Sequence, residues 1–75
     1  MNKARRATLN KIINALTDLK DDLETAKDEE EEAMDNMPES LQGSERYDTM
    51  EEAANGMDEA LDMIGNAIDA LEGVI

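Results

Sequence analysis

The chain contains no cysteine, histidine, tryptophan or phenylalanine. Without cysteine there is no disulfide framework and no zinc–thiolate centre, and a reducing cytoplasm is the expected setting. Without histidine or cysteine the common bases and nucleophiles of catalysis are missing. Ser40 and Ser44 sit in the turn with no base but carboxylates near them in the chain. No glycine-rich phosphate loop exists, because Gly56, Gly65 and Gly73 stand singly in a helical pattern. No apolar run exceeds three residues, which rules out a membrane-spanning helix and a signal-peptide core. The chain therefore reads as soluble and complete. Positive charge is scarce too. Seven Lys and Arg face twenty Asp and Glu, for a net charge of −13 over 75 residues. Such a balance opposes binding to nucleic acid or anionic membrane, and favours a basic protein partner.

What is present is helical periodicity. Leu9, Ile12, Leu16, Leu19, Leu23, Ala26, Glu30, Ala33 and Met37 recur at alternating steps of three and four. Met50, Ala54, Met57, Leu61, Ile64, Ile68, Leu71 and Ile75 do the same in the second half. An apolar stripe every 3.5 residues or so must find another helix. The single proline, Pro38, and Gly43 mark the break between the stripes. The expected fold is all-α: one domain, an antiparallel two-helix hairpin resembling a coiled coil. Helix one should cover about 3–36, the turn 37–44 and helix two about 45–73. Asn36 is a suitable cap, Pro38 suits a first turn, and Leu41 is expected to plug the end of the hairpin. Gly43 reads as the residue closing that turn, and Ser44 as the cap of helix two. Folding there is expected to set Leu16 near Ile64, Leu23 near Met57, and Tyr47 near Glu30 and Ala33.

Helix two carries a second row, Ala53, Gly56, Ala60, Met63, Ala67, Ala70 and Val74. Helix one is read as having no equivalent. A wide apolar face belongs to a bundle rather than a two-stranded coil. With no large side chain to fill a core, the hairpin is expected to assemble into a homodimer or higher oligomer through this row. The competing interpretation is that small residues are indifferent on a surface.

Charge is polarised along the chain. Fourteen of the twenty acids lie between Asp21 and Glu52, opposed there only by Lys27 and Arg46. Residues 1–20 carry Lys3, Arg5, Arg6, Lys11 and Lys20 against Asp18 alone. Asp28, Glu29, Glu31, Glu32, Asp35, Glu39, Glu45 and Asp48 are the candidate partner-binding surface. Carboxylates on successive helical turns have a spacing similar to backbone phosphates, so the surface suits a basic cleft built for nucleic acid. The plainer alternative is a solvated helix face. The basic start, Lys3, Arg5 and Arg6, is a candidate anion site; pairing with Asp62, Asp69 and Glu72 is the simpler expectation. Calcium loops need alternate oxygen ligands about a glycine, and di-metal bundles need Glu-x-x-His. Neither pattern occurs, so no metal or other cofactor is expected.

The segment Asn36-Met37-Pro38-Glu39-Ser40-Leu41-Gln42-Gly43-Ser44-Glu45-Arg46-Tyr47 follows the basic start Met1-Asn2-Lys3-Ala4-Arg5-Arg6 and an acidic middle. In this layout the whole chain resembles short uncharacterised acidic proteins encoded by phages and prophages of Gram-positive bacteria. The resemblance implies a host-cell cytoplasmic setting and supplies no site residues. Phage accessory proteins of this size often act stoichiometrically on a host protein, which is analogy. The expected function is therefore non-enzymatic: binding and inhibiting a host defence protein through the acidic surface, as an anti-CRISPR or anti-restriction protein would. The alternatives are a structural oligomer whose acids keep it soluble, and sequestration of a small phosphorylated signal by clustered N-termini.

Overall fold

Asn2 opens the first helix. Its side-chain oxygen accepts from the Arg5 backbone N–H at 2.8 Å, satisfying one of the free donors of the first turn. In the computed structural model, which describes residues 1–75, α1 runs Lys3–Asp35 and α2 runs Glu45–Glu72. Asn36 caps α1, its N–H reaching the Glu32 carbonyl at 3.0 Å. Pro38 is extended and cannot continue the helix. A single 3-10 turn, Glu39–Leu41, follows it. Ser44 starts α2, its hydroxyl accepting from the Tyr47 N–H at 3.3 Å. The two helices pack along each other as a hairpin measuring 59 × 14 × 12 Å. Threonines inside the helices satisfy their hydroxyls on the preceding turn; Thr17 donates to the Ile13 carbonyl at 2.9 Å.

Two turn expectations change. Leu41 is not a plug: it stays 48% exposed in the 3-10 turn. Gly43 does not take the left-handed conformation that closes many helices, since no glycine here has positive φ. The Ser44 N–H reaches back to the Leu41 carbonyl instead, and a right-handed turn leads into α2.

The α1 seam is also different. Ile13, at 7% exposure, and Met34, at 8%, are buried, while Ile12, Leu19, Ala26 and Ala33 are exposed. The inward row is Leu9, Ile13, Leu16, Lys20, Leu23, Lys27, Glu30, Met34 and Met37. It shares Leu9, Leu16, Leu23, Glu30 and Met37 with the expected row and replaces the other members by their C-terminal neighbours. The physical reason lies in Lys20 and Lys27. Their hydrocarbon stems cover the seam while their ammonium groups reach out beside it. Lys27 Nζ donates to Asp58 Oδ1 at 2.9 Å. Lys20 Cε lies where a side chain on Gly65 would meet it, at 3.7 Å.

Those two contacts set the register. Lys27 faces Asp58 and Lys20 faces Gly65, so the helices pivot between Gln42 and Gly43. Leu23 is thereby opposite Leu61–Asp62 and Leu16 opposite Ile68–Asp69, not Met57 and Ile64. Tyr47 comes opposite Met37–Pro38 rather than Glu30 and Ala33. In α2 the expected seam holds from Met50 to Leu71, with Ala54 and Leu61 buried at 6% each. Ile75 lies past the end of α2 and is exposed.

Gly65 is a helix-interior glycine with room for a methyl group. Alanine there removes backbone freedom from the unfolded chain and raises helix propensity by about 0.8–1 kcal/mol. Gly65→Ala is expected to raise the melting temperature by roughly 4–8 °C in a domain of this size. Thermal denaturation followed by circular dichroism checks this; a lowered midpoint would mean that Lys20 needs the space.

Candidate interaction surfaces

A shallow groove along one side of the hairpin fixes how the helix faces are disposed. It is lined by Lys20, Glu24, Lys27 and Asp28 from α1, and by Asp58, Leu61, Asp62, Gly65, Asn66 and Asp69 from α2. The acid rows of both helices therefore share this side. In α1 the row is Asp21, Glu24, Asp28, Glu31 and Asp35, at steps of three and four. In α2 it is Asp48, Glu51, Asp58, Asp62, Asp69 and Glu72, with Asn55 and Gly65 completing the same steps. All are exposed except Gly65. A second hollow on α2 is lined by Asp48, Glu51, Glu52 and Asn55.

The rows leaving the seam in the other direction lie on the opposite side. There α1 presents Ile12, Leu19, Ala26 and Ala33, and α2 presents Ala53, Gly56, Ala60, Met63, Ala67, Ala70 and Val74. Leu19 is 58% exposed and Met63 61%. The hairpin is thus two-sided, acid along one flank and apolar along the other. Helix one does carry a second apolar stripe, contrary to expectation: it consists of the residues first assigned to its seam.

The expected acidic surface divides accordingly. Asp28, Glu31, Asp35 and Asp48 come together on the acid flank. Glu29 points to the apolar flank, Glu32 and Glu45 to the outer backs of their helices, and Glu39 sits in the 3-10 turn. Sequence reading missed Asp21, Glu24, Glu51, Asp58, Asp62, Asp69 and Glu72 as members of one surface. The repeat along each helix was readable; that the two rows adjoin depended on the register. No three of the carboxylates are grouped so as to hold a metal ion.

Few of these charges are paired. The ion pairs are Lys27 with Asp58 at 2.9 Å and Lys27 with Glu31 at 3.6 Å. The hydrogen bond that Lys27 donates to Asp58 raises the Lys27 pKa above the ordinary lysine value; partial desolvation works against it, and the Asp58 and Glu31 charges add to it. A raised lysine pKa stabilises the fold below the unfolded-state value and ceases to as pH climbs through the folded value. The Lys27 contribution is therefore constant through neutrality and disappears only in strong alkali. Lys3, Arg5 and Arg6 make no ion pair with Asp62, Asp69 or Glu72. The register explains this: Glu72, the last residue of α2, lies opposite Ile13, so the first ten residues of α1, nearly three turns, extend beyond α2.

Crowded, unpaired carboxylates repel one another, and salt screens that repulsion. Relief of about 1 kcal/mol raises the midpoint of a domain this small by roughly 4–8 °C. The melting temperature is accordingly expected to climb from low to molar sodium chloride. A flat profile would mean that the repulsion is already offset.

No helix is long and apolar enough to cross a membrane. Comparison with protein-family models, curated proteins and solved structures returns no significant match.

Proposed function

We propose that the chain is a non-enzymatic interaction protein that occupies the basic cleft of a nucleic-acid-binding protein, in the manner of a phage-encoded inhibitor of a host defence factor. The observation that supports this is the double row of carboxylates along one flank. From Asp21 to Asp35, together with the facing Glu51, Asp58 and Asp62, eight carboxylates occupy about 21 Å of helix. That is one charge per ~2.6 Å, between the ~1.7 Å of duplex DNA and the ~3.4 Å of a single strand. Only Lys27 offsets them within this stretch. A rod 12–14 Å across is narrower than a duplex, and it can enter a cleft that accepts one.

The test is co-purification from host lysate on the immobilised chain, followed by competition with duplex DNA. A retained nucleic-acid-binding protein released by both DNA and salt supports the reading. Retention that ignores both would sink it. The rival reading, a structural assembly protein, is favoured by the apolar flank, which is unbroken by charge on α2 and carries Asp22 and Glu29 at its edge on α1. Sequestration of a phosphorylated signal would instead use Lys3, Arg5 and Arg6, which project beyond α2 with no acid paired to them.

A further inference from the structure

We infer that the apolar flank is covered by a second copy of this chain, packed face to face and antiparallel, so that the functional unit is a twofold four-helix bundle. This goes beyond the acid-flank reading and stands without it. The first argument is area. The hairpin exposes 5505 Å². A compact monomer of 8.3 kDa would expose about 4,600 Å². The excess, roughly 900 Å², matches the ~800 Å² that each partner contributes to a stable interface. One flank, 59 by 14 Å, offers about the same area. No side chain of the isolated hairpin is fully buried, so a core exists only in outline until that flank is covered.

The second argument sets the orientation. The flank tapers in side-chain size. From the open end toward the turn, α1 presents Ile12, Leu19, Ala26 and Ala33, while the α2 row falls from Val74 to alanines and Gly56 with Met63 standing at mid-length. Parallel stacking would set bulky residues on bulky ones and leave voids between alanines. Antiparallel stacking sets Ile12 over Ala33 and Leu19 over Ala26, which fills space evenly. Met63, near mid-length, then falls close to the twofold axis.

The third argument is charge. On this flank the open end carries Arg5 and the turn half carries Glu29. Antiparallel stacking brings each basic end over the partner's acidic end, while parallel stacking superposes like charges. A twofold contact of this kind is closed and self-complementary, as stable homodimers require. Both acid flanks remain on the outside of the bundle.

The test uses the absence of native cysteine. Ser40→Cys places one spin label in the exposed turn, away from the flank. Light scattering is expected to give twice the 8.3 kDa chain mass. Electron–electron double resonance is expected to give one intermolecular distance near the 59 Å length of the hairpin. A distance within about 20 Å, a couple of interhelical spacings, would mean parallel stacking and overturn the orientation. A single-chain mass with no intermolecular distance would overturn the dimer. Failure of either leaves co-purification through the acid flank untouched, so the two proposals fail separately.

Discussion

Leu61→Asp is expected to abolish the helical circular-dichroism signal of the hairpin, whereas Met63→Asp is expected to keep it. Leu61 is 6% exposed and packs on the seam opposite Leu23; Met63, two residues on, stands in the open. Truncating a buried leucine alone costs about 2–5 kcal/mol. Aspartate adds the cost of an unpaired charge in an apolar seam, several kcal/mol more. The whole fold is worth only about 4–11 kcal/mol at ~0.05–0.15 kcal/mol per residue. One substitution at Leu61 therefore consumes most or all of that margin. At Met63 the same carboxylate stays hydrated in the hairpin and is penalised only where a second copy would cover it. Sedimentation alongside circular dichroism separates the effects: loss of helix in the first variant, loss of the dimer with retained helix in the second. Equal loss of helix in both would show that the seam and the flank are not distinct surfaces.

The same pair of residues shows what could be read without coordinates. Leu61 and Met63 fall on different rows of α2 by spacing alone, and every α2 seam position from Met50 to Leu71 was legible because the large side chains Met50, Met57, Leu61, Ile64, Ile68 and Leu71 outweigh the mostly small residues of the second row. Helix limits were legible as well, through Asn36, Pro38 and Ser44. In α1 two rows share Leu9, Leu16 and Leu23, and hydrophobicity favours the wrong one. Ile12 and Leu19 look more like core than Lys20 and Lys27. The choice is decided by partners on the other helix, Asp58 for Lys27 and the vacant side of Gly65 for Lys20. Such pairings depend on register, and register depends on how many residues the 3-10 turn absorbs. The two-sidedness of the rod was hidden for the same reason. Each acid row is visible in the sequence, but their adjacency is a property of the folded pair.

Two-sidedness also sharpens the largest functional effect expected. Replacing Glu24, Asp28 and Asp35 with lysine reverses three charges on the acid flank. Replacing Glu29, Glu32 and Glu39 makes the identical change in net charge elsewhere on the rod. Lysine matches glutamate and exceeds aspartate in helix propensity, so neither triplet weakens the helices, and both relieve carboxylate crowding. Neither variant should unfold, and the melting temperature of each should rise at low salt. If a basic cleft grips the acid flank, the first triplet weakens that complex by about tenfold or more per reversed charge, near 1.4 kcal/mol each and roughly a thousandfold in all. The second triplet weakens it only through long-range attraction, an effect that disappears as the Debye length falls below about 8 Å above physiological salt. Isothermal titration against the retained partner, at two salt concentrations, distinguishes them. Equal losses that vanish together in salt would reduce the acids to a diffuse field. Full binding by the first triplet would remove nucleic-acid mimicry and leave assembly through the apolar flank as the role the geometry supports.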